Sequence, residues 1–111
     1  MTSRRVSLRS VQRGSDRRRL EAYLDAEGDL HIDGQDLGPG TGPLGADGEV
    51  EWFQSIRVVD LPALRALLGI DADAVLLDAL EESWTGPTRS RDLETRIRES
   101  GIPTELDTWR S

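Results

Sequence analysis

The chain contains no cysteine, no lysine and no asparagine among its 111 residues. Without cysteine, disulfides and thiolate metal sites are excluded, and a reducing cytoplasmic setting fits that absence. Without lysine, all 14 cations are arginine. This is the codon usage expected of a GC-rich bacterial genome, so the choice of arginine at any one position carries little design information. A single histidine, His31, leaves imidazole chemistry one candidate. Phenylalanine and tyrosine occur once each, against three tryptophans. The longest apolar run covers only residues 74–77, far short of the roughly 20 residues that span a bilayer. The basic N-terminus lacks an apolar h-region, so no secretory signal is expected.

The length implies one domain over residues 1–111 that buries enough apolar surface to fold without staples. The net charge of −7 is unevenly spread. Residues 1–19 carry seven arginines and one aspartate, whereas the remaining chain carries seven arginines and 20 acids. Such an acidic body disfavours nucleic acid and anionic membranes and suits a basic protein partner. It also serves solubility alone.

Residues 20–38 hold the clearest hairpin signal. Leu20, Ala22 and Leu24 alternate with polar residues, as do Leu30 and Ile32. A two-residue turn at Glu27-Gly28 would set Leu24 opposite His31 and mix the faces. A three-residue loop, Ala26-Glu27-Gly28, sets Leu24 opposite Leu30 and Ala22 opposite Ile32, with Gly28 where positive φ is needed. A one-residue slip flips every side chain, so the second register is expected. It leaves Glu21, Tyr23, His31 and Asp33 together on the opposite face.

Before this hairpin, residues 4–12 read as a strand pairing with 17–25, although Val11 breaks the alternation of Val6 and Leu8. The alternative for residues 1–16 is a basic tail docked on the acidic body. After it, five glycines and two prolines in residues 36–48 predict a long irregular loop. A strand over 49–58 follows, with Gln54 the exception to its apolar alternation. Asp60 as N-cap, Pro62 and Gly69 bracket a first helix with a stripe of Leu61, Leu64, Leu67 and Leu68. A second helix starts at Asp71 or Asp73 and runs to Trp84. Ser90 caps a third over 91–100, with Leu93 and Ile97 inward and Glu94 and Arg98 as an outward i,i+4 pair. The tail TELDTWR reads as a final edge strand. The expected fold is therefore α+β: an antiparallel sheet of four to five strands, an N-terminal meander plus a C-terminal strand, with three helices packed on one face.

Three motifs invite chemistry. Residues 40–45 match GxGxxG, but a proline sits inside the motif, Asp47-Gly48 follows and the next element reads as a strand and not a helix, so a flexible loop is the better reading. The acids from Asp25 to Asp36 lack the spacing of an EF-hand loop: counted from Asp29, position 12 is Gly40. Asp25 and Asp29 face each other across the hairpin, which leaves a weak divalent contact open but no dedicated metal site. His31 and Asp33 share one strand face, as an acid/base and its orienter would. No nucleophile accompanies them in a known arrangement.

Gly34-Gln35-Asp36-Leu37-Gly38, Glu51-Trp52-Phe53 and Gly101-Ile102-Pro103 together resemble an uncharacterised family of short bacterial proteins with the order GQDLG … (Y)EW … GIP. The resemblance spans residues 20–110. It implies a compact bacterial domain and assigns no catalytic residues.

Two functions follow as expectations. The first is a cytoplasmic protein-interaction module, such as an immunity-type inhibitor of a basic protein, acting as a monomer or weak homodimer without cofactor, nucleic acid or membrane. Tyr23, Gln35, Asp36 and Trp109 are its candidate contact residues. The alternative is a small enzyme or ligand-binding domain that uses His31 and Asp33 for catalysis, with Gln35, Asp36 and the 36–48 loop around them.

Overall fold

The computed structural model describes residues 4–38 and 48–110. The GxGxxG match and most of the glycine-rich loop lie outside them. The chain runs β1 (Arg5–Arg13), β2 (Asp16–Leu24), β3 (Leu30–Gly38) and β4 (Gly48–Ile56). One 3-10 turn (Val58–Asp60) then leads into α1 (Leu61–Leu68), α2 (Leu76–Ser83), α3 (Pro87–Ser100) and β5 (Glu105–Arg110). The five strands form one antiparallel sheet in sequence order. Its inner face (Val6, Leu8, Leu20, Ala22, Leu30, Ile32 and Ile56) joins the buried side chains of the helices in a single core. The α+β expectation holds, and the N-terminal segment is a strand. No described helix is long and apolar enough to cross a membrane.

The break in alternation at Val11 has a structural cause. Ser7 pairs with Glu21 and Arg9 with Leu20, so Leu8 is an extra residue in a β-bulge. A bulge resets the side-chain phase. Val6 and Leu8 point inward before it, and Arg9 and Val11 take the inner face after it. The Leu8 carbonyl accepts the Gly86 N–H at 2.8 Å, tying the bulge to the junction between α2 and α3. Arg9 is consequently buried at 6% exposure. Its Nε donates to Ser90 Oγ at 3.0 Å and its Nη2 to Glu94 Oε1.

The β2–β3 register is the expected one: Leu24 opposes Leu30 and Ala22 opposes Ile32. Asp25 closes the turn. Its backbone N–H donates to the Asp29 carbonyl, and its Oδ1 accepts from the N–H groups of Glu27 and Asp29. Gly28 sits at φ 87°. Asp29 Oδ1 in turn accepts the Val58 N–H at 2.8 Å, so the hairpin tip anchors the chain leaving β4.

Several expectations about the helices need correction. Residues 36–38 continue β3 instead of starting the loop, because β4 pairs with all three and β2 with Asp36 and Leu37. The second helix begins at Leu76, since Asp71–Ala74 form a turn whose carbonyls at 71 and 74 are held by Arg65. Val75 consequently stays exposed while Leu76, Leu77, Leu80 and Trp84 are buried. α3 begins at Pro87, and Ser90 is a fully buried first-turn residue, not a cap: it accepts from Arg9 and donates to the Gly86 carbonyl. Glu94 does not pair outward with Arg98. It turns inward, where Oε1 meets Arg9 and Oε2 accepts Trp52 Nε1 at 3.0 Å.

The helices stop short of the last two strands. Between α3 and β4–β5 lies a groove of about 390 Å³ lined by Trp52, Gln54, Ile97, Arg98, Ile102 and Leu106, among others. This explains Gln54: it occupies an inner-face position, but no helix lies over it. Trp52 lies against Gly34, and Ile102 lines the same groove.

Candidate functional site: the open face of the sheet

The face away from the helices is built from cross-strand rows, and the registers define them. One row runs Arg5, Tyr23, His31, Ser55, Glu105; the next Ser7, Glu21, Asp33, Phe53, Asp107; the next Ser10, Arg19, Gln35, Glu51, Trp109. Arginines therefore lie toward β1 and β2, and carboxylates toward β4 and β5. Tyr23, His31, Asp33, Gln35 and Trp109 all belong to this face. Asp36 does not. It has the opposite parity, lies on the helix side, and its Oδ2 accepts from Arg18 at 2.8 Å, so it is not a ligand group beside His31.

On the β1–β2 side the charges are matched. The Arg5 guanidinium lies 4.2 Å over the Tyr23 ring, and that ring stacks on His31 with centroids 4.7 Å apart. Arg5 also contacts Glu21 at 3.4 Å and Asp33 at 4.0 Å, and Arg19 meets Glu21 at 3.1 Å. The partner of His31 is Asp25, not Asp33: Nε2 and Asp25 Oδ2 are 2.7 Å apart. Asp25 lies at the turn, where it reaches the ring end-on, whereas Asp33 is two residues along the same strand and approaches Arg5. The hydrogen bond to His31 holds the Asp25 carboxyl below its usual range, assisted by the turn N–H groups.

Asp33 behaves differently. Burial, only partly offset by His31 and Arg5, pushes its carboxyl above the usual range, and its Oδ1 is buried without a hydrogen-bond partner. The charged form is thus the disfavoured one in the fold. A raised carboxyl opposes stability above its ordinary range and ceases to do so as pH falls through that range. Asp33→Asn is accordingly expected to stabilise the fold slightly at pH 7, by less than about 1 kcal/mol because the site is still partly solvated. The gain should shrink as pH falls into the carboxylate range and vanish below it; thermal unfolding at pH 7 and below that range measures it.

On the β4–β5 side the charges are unmatched. Gln35 Nε2 donates to Glu49 Oε1 at 2.8 Å and to Glu51 Oε1 at 3.1 Å, drawing the two carboxyls together. The hydrogen bond between the two carboxyls pushes Glu51 above its usual range and holds Glu49 below it. Among the described residues no arginine lies within ion-pair distance of Glu49, Glu51, Glu105 or Asp107. Phe53 and Trp109 stand beside them, 44% and 50% exposed.

A shallow depression of about 160 Å³ sits mid-face, lined by Arg5, Arg19, Glu21, Asp33, Gln35 and Glu51 among others. It is smaller than the roughly 300 Å³ at which small-molecule pockets begin, and His31 is not part of its wall. At the hairpin tip, carboxylate oxygens of Asp25, Glu27 and Asp29 lie within 4.8 Å of one another. The oxygens of Asp25 and Asp29 are already engaged by turn N–H groups, His31 and Val58, so the cluster has a structural explanation. Reading the chain alone missed the Glu49–Gln35–Glu51 bridge, although its three positions fall in the register once β3 and β4 are paired. Comparison of the chain with protein-family models, with curated proteins and with solved structures finds no match.

Proposed function

We propose that this chain is a protein-interaction module that binds a basic partner through the β4–β5 half of its open face. Supporting this reading is a single arrangement: two carboxylates bridged by one amide, with no ion-pair partner among the described residues, beside two exposed aromatic rings. Like charges held together are relieved by an incoming guanidinium or ammonium. Aromatic side chains next to them are the residues that anchor interfaces, and a surface potential of one sign accelerates encounter with a partner of the other. An immunity-type inhibitor in a bacterial cytoplasm, within the family the chain resembles, is the form of this proposal that joins the acidity to the small size. The enzyme alternative has less support, because His31 is stacked and hydrogen-bonded at the side of the face, away from the central depression.

The test is capture of partners from the native host at low and high salt. The comparison bait combines Glu49→Gln, Glu51→Gln and Trp109→Ala. A specific basic protein should be retained by the wild type, released by salt, and bound at least roughly tenfold more weakly by Trp109→Ala alone. Binding should also weaken as pH falls into the carboxylate range and Glu51 takes up its proton first. A partner retained equally by the triple variant would place the interface elsewhere.

A further inference from the structure

We propose that β5 is a self-association edge, pairing antiparallel with β5 of a second copy about a two-fold axis at Thr108 and joining the two sheets into one.

The two edges of the sheet are treated differently. The β1 edge is interrupted by the bulge at Leu8, and the Leu8 carbonyl is consumed by Gly86. Bulges and covered carbonyls are among the devices that keep an edge from templating another strand. β5 has neither. Its register with β4 is unbroken from Glu105 to Arg110, it contains no proline, and all six residues are exposed. α3 is set back behind the groove, so no helix of either copy overhangs the edge.

The sequence of β5 selects a second copy as the occupant and also selects the register. Neighbouring antiparallel strands related by a two-fold axis have that axis perpendicular to the sheet, so paired residues share a face and therefore parity. Two registers keep five pairs within β5. With Asp107 on the axis, the two Asp107 carboxylates oppose each other, which is destabilising. With Thr108 on the axis, threonine meets threonine, a favourable cross-strand pair. Asp107 then lies beside the partner's Trp109, and Leu106 lies beside the aliphatic stem of the partner's Arg110. The acids no longer oppose one another. The helix sides also meet: each Leu106, 59% exposed in one copy, lies next to the other copy's groove, and Leu106 and Ile102 of both copies line one trough across the axis. The open faces stay uncovered, but Trp109 borders both surfaces, so the pairing is read at Thr108, which lies on the helix side away from the basic-partner site.

The absence of cysteine makes the test direct, because a single introduced thiol reports only on contacts between copies. Thr108→Cys should form a disulfide-linked dimer under mild oxidation roughly tenfold faster than Asp107→Cys, since opposed Cβ atoms lie about 5 Å apart at the axis and diagonal ones farther. The unmodified chain should sediment increasingly as a dimer with rising concentration. Thr108→Asp, which sets two carboxylates on the axis, should weaken that dimer roughly tenfold while circular dichroism stays unchanged. Sedimentation as a monomer up to about 1 mM, the scale of a very weak complex, overturns the proposal. So does cross-linking of Asp107→Cys at or above the rate of Thr108→Cys.

Discussion

Gly34→Ala is expected to destabilise the protein by about 3 kcal/mol, the combined scale of overpacking and of a lost buried hydrogen bond. Gly34 has an ordinary strand conformation, so backbone freedom is not the reason glycine stands there. The reason is the approach of Trp52, its cross-strand partner on the inner face. A methyl group at 34 would overlap the Trp52 indole at Cε2, Cζ2 and Nε1. Moving the ring outward breaks the Nε1 hydrogen bond to Glu94 and opens the wall of the α3 groove. Gly14→Ala provides the contrast. That residue has φ 59° with nothing near the added carbon, so only conformational strain is introduced, about 1 kcal/mol. Urea denaturation of both variants measures the difference, and the indole N–H resonance of Trp52 reports the displacement directly. Equal costs at 34 and 14 would show that the indole moves aside freely.

What could be read from the chain follows the periodicity of its apolar residues. The β2–β3 register was legible because burying one face of a sheet allows only one of two parities, and Leu24, Leu30, Ala22 and Ile32 chose it. Gly69 and Gly101 mark helix ends as expected, at φ 70° and 79°. The polar contacts were less legible, because each depends on an element distant in sequence. Glu94 and Arg98 have the spacing of a surface pair, but the bulge at Leu8 delivers Arg9 to the inner face, and a buried guanidinium claims Glu94. Asp33 has the spacing to orient His31, but the turn brings Asp25 closer. Asp36 was placed beside His31 by proximity in the chain, whereas strand parity sends it to the other side. The open-face rows required every register at once, which no local pattern supplies. One irregularity was nonetheless visible: the broken phase at Val11 was the bulge itself.

Glu94→Ala is expected to cost about 3–5 kcal/mol, the range for removing one partner of a buried ion pair. Glu94 is the only carboxylate that Arg9 meets among its described contacts, and Arg9 keeps only 7% of its side chain exposed. Deleting the acid leaves a guanidinium enclosed between the sheet and α3 with only Ser90 Oγ on its Nε, and it also leaves Trp52 Nε1 without its acceptor. The double variant Arg9→Met with Glu94→Leu separates two meanings of that number. If the loss in Glu94→Ala comes from an orphaned charge, replacing both charges with apolar groups of similar volume should recover most of it, because the desolvation of the pair is then avoided as well. If the pair instead holds α3 in register on the sheet through directed hydrogen bonds, the double variant should stay as unstable as the single one, and its Trp52 indole resonance should broaden. A double-mutant cycle by chemical denaturation decides between them. Recovery is the expected result, because the apolar contacts of Leu93 and Ile97 on either side of Glu94 already seat the helix, leaving the ion pair to satisfy the polar group that the bulge forces into the core.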